Sequence, residues 1–218
     1  MKKHILIILG LFLTVFLSAQ EHLKFGVFID PQICWFSPDA RTVKSEGTTF
    51  GINGGLVMDK YFAKNYAFST AIGIGTQGGK LLYDEGLNLQ VYDKVDSLPA
   101  GTTVEYNLQY ITVPLGLKLK SNQMGYTTLF VNIGLTNQVN VKAKATSDNN
   151  NGLEDDSIKD EIGIYNLSYH FGAGFEYALG EDTALTIGAL YHNGFLDVTK
   201  ASSVVNSRVI SIRLGILF

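Results

Sequence analysis

Cysteine is nearly absent from this chain: Cys34 is the only one in 218 residues. That excludes an internal disulfide framework and any cysteine-built zinc or iron–sulfur site. Charge is also scarce, at 17% of residues against 46% hydrophobic, a balance opposite to that of a disordered chain. No basic excess exists. The formal net charge is −3, so the footprint of a nucleic-acid binder is missing. Long helical periodicity is missing too, and no apolar run reaches the ~20 residues that a membrane-spanning helix needs.

The one continuous apolar run, Ile5 to Leu17, follows Lys2 and Lys3 and precedes Ser18-Ala19-Gln20. A basic start, a short apolar core and small residues before a polar stretch make a secretory signal with cleavage near position 19 or 20. Residues 1–20 are therefore expected to be a signal peptide and residues 21–218 the mature domain. Its removal takes away two lysines and no acid, which lowers the net charge to −5.

From Leu23 onward the dominant period is two. Ile210, Ile212, Leu214, Ile216 and Phe218 alternate with Val209, Ser211, Arg213 and Gly215. Leu23, Phe25, Val27 and Ile29 alternate in the same way with Lys24, Gly26, Phe28 and Asp30. This reading predicts eight strands at about 23–36, 49–59, 66–83, 103–120, 126–144, 161–179, 184–197 and 206–218. Connections at 37–48, 84–102, 145–160 and 198–205 are long and polar, whereas those at 60–65, 121–125 and 180–183 are tight. Strict alternation of long and short loops is the mark of an eight-stranded, antiparallel, up-and-down transmembrane β-barrel.

The two faces support that choice. The polar one carries Gly51, Asn53, Gly55, Ser69, Gly73, Gln77, Asn132, Thr136 and Gln138, small uncharged side chains suited to a narrow lumen. The large apolar face suits lipid. A soluble ligand-binding barrel in the periplasm would carry Lys, Glu and Asp on its polar face. Aromatic girdles are expected from Tyr61, Phe62, Tyr66, Tyr126, Phe175, Tyr177 and Phe218 on the short-turn side. The long-loop side would use Trp35, Tyr83, Tyr106, Tyr165, Tyr191 and Phe195. In 103–120 the apolar phase shifts after Tyr110, which predicts a β-bulge there that returns the apolar residues to the lipid face. Pro114 predicts irregular pairing beside it.

Three segments carry a resemblance: Leu108-Gln109-Tyr110-Ile111-Thr112-Val113-Pro114-Leu115-Gly116-Leu117-Lys118, Phe171-Gly172-Ala173-Gly174-Phe175-Glu176-Tyr177, and the closing Arg213-Leu214-Gly215-Ile216-Leu217-Phe218. Together with the Ser18-Ala19-Gln20 signal end, the chain resembles the PorT-like outer-membrane β-barrel proteins of Bacteroidetes. The resemblance implies an outer-membrane location, and a final aromatic, Phe218, read by the barrel-assembly machinery. It implies no cofactor and no catalytic residues.

Candidate chemistry is sparse. Lys24, Lys118, Glu176 and Arg213 fall on the polar face at similar heights, and buried charges must pair. They are expected to form an ion-pair network that plugs the lumen. His170 and His192 share the same face, with Ser168 nearby, but a Ser–His pair facing inward reaches no substrate and reads as buried hydrogen bonding. Asp148-Asn149-Asn150-Asn151-Gly152 departs from an EF-hand loop, with glycine fifth and Lys159 in the twelfth place. No metal site is expected there, only a solvated acidic loop. Cys34 reads as an inward, buried thiol. The expected role is non-enzymatic, structural or adhesive. Its partners would be outer-membrane lipid and an extracellular or periplasmic protein met by the long acidic loops. A narrow channel for small solutes and the soluble periplasmic barrel are the alternatives.

Overall fold

The structure is a computed structural model and describes residues 23–91, 94–148, 153, 155–200 and 203–218. The expected signal peptide, and positions 149–152 of the acidic loop, lie outside the described residues. In chain order the strands are β1 (Leu23–Pro38), β2 (Val43–Gly47), β3 (Thr49–Ala63), β4 (Tyr66–Tyr83), β5 (Leu87–Val91), β6 (Lys94–Leu98), β7 (Thr102–Lys120), β8 (Thr127–Ser147), β9 (Asp156–Ser157), β10 (Tyr165–Ala178), β11 (Ala184–Gly194) and β12 (Val205–Leu217). Eight of them close a ring in the order β1-β3-β4-β7-β8-β10-β11-β12, every neighbour antiparallel, with β12 returning to β1. No sheet edge is left open along this circuit, which is how a barrel satisfies its backbone in lipid.

Side chains alternate in and out as period two requires. Outward residues are large, apolar and exposed: Leu56 at 59%, Ile72 at 57% and Ile133 at 54%. This arrangement contradicts a soluble ligand-binding barrel, whose apolar residues would turn inward. On β4 the outward run covers Tyr66 to Ile74 and is apolar except for Thr70, and on β7 the apolar outward run covers Ile111 to Leu119. Nine residues of tilted strand match the ~9–11 that span a bilayer. The apolar positions therefore form a continuous lipid-facing belt.

The strands rise well beyond that belt on the long-loop side, and there the chemistry of the two faces is exchanged. On β7 the even-numbered residues face inward without interruption, from Thr102 and Val104 through Tyr106, Leu108 and Tyr110 to Thr112 and Lys118. The expected bulge on β7 is absent. The apolar phase shifts because the strand leaves the membrane: below Tyr110 lipid lies outside, and above it the apolar side chains pack inside while Glu105, Asn107 and Gln109 face water. A bulge does occur opposite, on β8, where Tyr110 pairs with Asn140 and Gln109 with Lys142. The extra residue is Val141, and it turns Ala143 and Ala145 inward, both buried.

The inward apolar residues of these extensions, including Phe36, Leu81, Tyr83, Val104, Tyr106 and Leu108, form one buried cluster with Leu89, Leu98, Leu153, Ile158, Ile162 and Val198 from the long connections. Gly79 makes room for it, since a Cβ there would lie 2.7 Å from the Phe36 ring. Tyr83 and Tyr106 thus belong to this core rather than to a girdle, and their hydroxyls share a hydrogen bond of 2.7 Å. The connections expected to be plain polar loops carry β2, paired to β4, the β5–β6 hairpin, and a short 3-10 turn at Lys159–Glu161. Beside Pro114 the β4–β7 ladder skips Ala71 and Ile72, and the Thr70 hydroxyl donates to the Pro114 carbonyl at 2.9 Å. Pro31 sits in the corresponding gap between β1 and β12.

Candidate functional site

The polar interior within the belt is the candidate site. Its lowest part is a charge cluster. Lys118 on β7 reaches Asp59 Oδ2 on β3 at 2.5 Å and Glu176 Oε1 on β10 at 2.6 Å, and Lys120 binds Glu176 Oε2 at 2.5 Å. Ser69 donates its hydroxyl to Asp59 Oδ1 at 2.6 Å, and Lys120 donates to the Tyr61 hydroxyl at 3.1 Å. Tyr61 therefore faces inward, not into the short-turn girdle. The two cations and two anions balance, which buried charge demands because each unpaired ion costs several kcal/mol to desolvate (~).

A second pair lies higher. Arg213 on β12 grips Asp30 on β1 with both arms, Nε to Oδ1 at 3.0 Å and Nη2 to Oδ2 at 2.7 Å, and its guanidinium stacks 4.4 Å from the Phe28 ring. A planar fork suits a carboxylate and an aromatic face at once. Above it, His170 bonds Thr136 Oγ1 through Nδ1 at 2.9 Å and Asn132 Oδ1 through Nε2 at 3.0 Å. Its ring centroid stands 5.6 Å from that of His192. Both nitrogens of His170 are engaged, and Ser168 is not one of their partners. The buried Ser168 Oγ has no hydrogen-bond partner among the described residues.

Of the four charged residues expected together, Lys118 and Glu176 touch. Arg213 stands apart with Asp30, and Lys24 takes part in none of the ion pairs among the described residues. Lys24 lines a 240 Å³ opening at the short-turn end, with Lys120 and Glu176. The single network thus becomes two balanced groups plus a lysine at the mouth. Asp30, Asp59 and Lys120 were the missing members. Each carried a readable signal, because it shares the parity of the polar face on its own strand: Asp59 with Asn53 and Gly55, Lys120 with Lys118, Asp30 with Gly26.

Free space between these layers is small. A cavity of about 20 Å³ lies between the charge cluster and Arg213, and one of about 40 Å³ lies between Arg213 and Tyr110. One water needs at least ~10–15 Å³, so the larger cavity has room for about three. Above Tyr110 the apolar core begins. Cys34 is inward and fully buried, as expected. On the outer surface of the extensions, Lys44 pairs with Asp84 at 2.5 Å, Lys80 with Glu105 at 2.7 Å, and Lys144 with Asp155. The described acids of the long connections are therefore partly neutralised rather than simply repelling one another.

The family model described as "Outer membrane protein beta-barrel domain" matches residues 18–200. No curated protein matches the chain. Among solved structures, the chain is similar to Neisserial surface protein A at 13% identity and a TM-score of 0.48, covering 88% of this chain and 95% of that one. It is similar to the outer membrane protein OprG of Pseudomonas aeruginosa at 12% identity and 0.46, covering 90% and 94%. It is also similar to Ail, the attachment invasion locus protein of Yersinia pestis, at 15% identity and 0.44, covering 90% and 99%.

Proposed function

The chain belongs to the outer membrane protein beta-barrel domain family and so resides in the outer membrane; from that premise we propose that it is a closed, non-conducting barrel carrying a rigid external platform for a protein partner. The observation that carries the reading is that the interior is filled in two chemistries, one above the other. Paired charges occupy the membrane part, and an apolar core seals the external part. A core of this kind is what a strand extension needs to hold shape in water without lipid around it. An open channel has no use for it. The long connections packed on that core, with their partly paired acids, supply the surface that a partner would meet.

The PorT-like affinity of the β7, β10 and β12 segments is part of the same proposal, as is recognition of Phe218 by the barrel-assembly machinery. Phe218 is 57% exposed, and its backbone exchanges hydrogen bonds with Phe25 at 2.7 and 3.0 Å. A narrow solute channel is the second reading, favoured by the 240 Å³ mouth beside Lys24. Planar-bilayer recording of the refolded protein separates the two. The closed barrel gives no steady single-channel current; a stable open pore overturns it.

A further inference from the structure

The outer wall carries a shallow cavity of about 270 Å³ at the level where the interior changes from polar to apolar, lined by Thr76, Asn107, Gln109, Lys142, Lys144 and Asp155. Strand register shows how it is built. Ile74, Ile111 and Val139 lie side by side across β4, β7 and β8 as the uppermost complete apolar row on these three strands. Thr76, Gln109 and Lys142 form the next row, and Gly78, Asn107 and Lys144 the one above. Successive rows on one face are only about 6.6 Å apart. Polar donors therefore begin one row above lipid, and Gly78 puts no side chain into the upper row.

Two further features give the cavity its charge. The extra residue Val141 leaves Val141 and Lys142 consecutive and both exposed, so the bulge aims a lysine outward directly above apolar wall. Lys144 is neutralised by Asp155, which holds a left-handed backbone at φ 58° and whose N–H donates to Thr146 Oγ1 at 3.3 Å. Lys142 enters no ion pair among the described residues. One cation without an ion pair among the described residues, and three neutral hydrogen-bonding side chains, thus border the membrane surface.

We propose that this cavity binds the phosphate of an outer-leaflet lipid headgroup, with Lys142, Gln109 and Thr76 on the phosphate and the acyl chains along the row of Ile74, Ile111 and Val139. The inference rests on the membrane placement and goes beyond the closed-barrel reading. Continuity with the belt selects a lipid over a free anion. A soluble ion gains nothing from the apolar row, whereas a headgroup held beside it is presented at high effective concentration.

The test is lipid retention by the refolded full chain in detergent, read by native mass spectrometry. Its probes are a phosphorylated lipid A, the same lipid without phosphate, and inorganic phosphate. The wild-type protein should retain the phosphorylated lipid about tenfold better than its dephosphorylated form. Lys142→Glu and Gln109→Glu should each abolish about that factor, the scale of one charge-assisted hydrogen bond. Lys142→Gln should give the same loss, and it serves if Lys142→Glu does not close into a heat-modifiable barrel. Lys64→Glu, at the opposite end, should change nothing. Equal retention of both lipids, unaltered binding by the Lys142 variants, an equal loss in Lys64→Glu, or displacement of the lipid by inorganic phosphate at the same concentration would overturn the proposal.

Discussion

Lys118 sits between two carboxylates where no water shell can replace them, and its side chain is only 5% exposed. Removing one partner leaves a buried charge short of compensation, so Asp59→Ala should cost about 3–5 kcal/mol of barrel stability. Lys24→Ala, at the open mouth and outside the ion pairs, should stay within about 0.5 kcal/mol. Urea unfolding in lipid vesicles, followed by the fluorescence of Trp35, measures both. Tyr83 and Tyr106 pose a different residue-scale problem, since they lie on the external extensions, outside the belt. Burial raises both hydroxyls above the usual tyrosine value. Both therefore stay neutral in the folded state, and their contribution is complete below about pH 10, where the unfolded chain also keeps its tyrosines neutral. As pH rises further the unfolded chain ionises first, and stability falls. A Tyr83→Phe, Tyr106→Phe double variant should lose part of that alkaline decline in the same unfolding assay; an unchanged decline would contradict the buried pair. The sequence showed which face each charged residue occupies, because parity is local. It did not show which charges meet. Lys118 and Asp59 are 59 positions apart, and their contact depends on ring closure and strand stagger, which no period-two pattern contains.

The strand β7 shows how far a pattern can be read. Its eight-strand context, its boundaries and the position of its phase change were all legible, but the change was assigned to the wrong cause. Apolar residues seek whatever is not water. In the membrane that means lipid outside the wall, and beyond it the core inside the wall, so the same straight strand yields two phases. The backbone irregularity belongs instead to β8, at Val141, where the flanking Asn140, Lys142 and Ala143 give only a weak alternation to read. Deleting Val141 should leave a regular β8 ladder with Lys142 still opposite Gln109 and Ala143 opposite Leu108, so that Ala143 and Ala145 stay inward and Lys144 outward. The external core should then stay closed. Limited proteolysis of vesicle-embedded protein should leave the region around 142–162 as well protected as in the wild type. Rapid cleavage there would contradict Val141 as the extra residue.

At the scale of the whole molecule, two barrels stand end to end on one set of strands: a membrane barrel with a polar filling and a water-exposed barrel with an apolar one. The general architecture was readable because the period, the loop alternation and the small polar face all agree. The second barrel was not, because its core draws Leu89, Leu98, Leu153 and Ile158 from connections whose composition is polar overall. Its claim to be a seal rests on the interior changing chemistry at Tyr110 while the strand keeps its phase. Spin labels placed singly from 104 to 119 on β7, in a Cys34→Ser background within lipid vesicles, measure this directly through their accessibility to oxygen and to a water-soluble nickel chelate. Odd positions should be accessible throughout, to oxygen from 111 to 119 and to nickel from 105 to 109, with even positions protected on both sides of Tyr110. A one-residue shift of the accessible phase at Tyr110 would contradict the account.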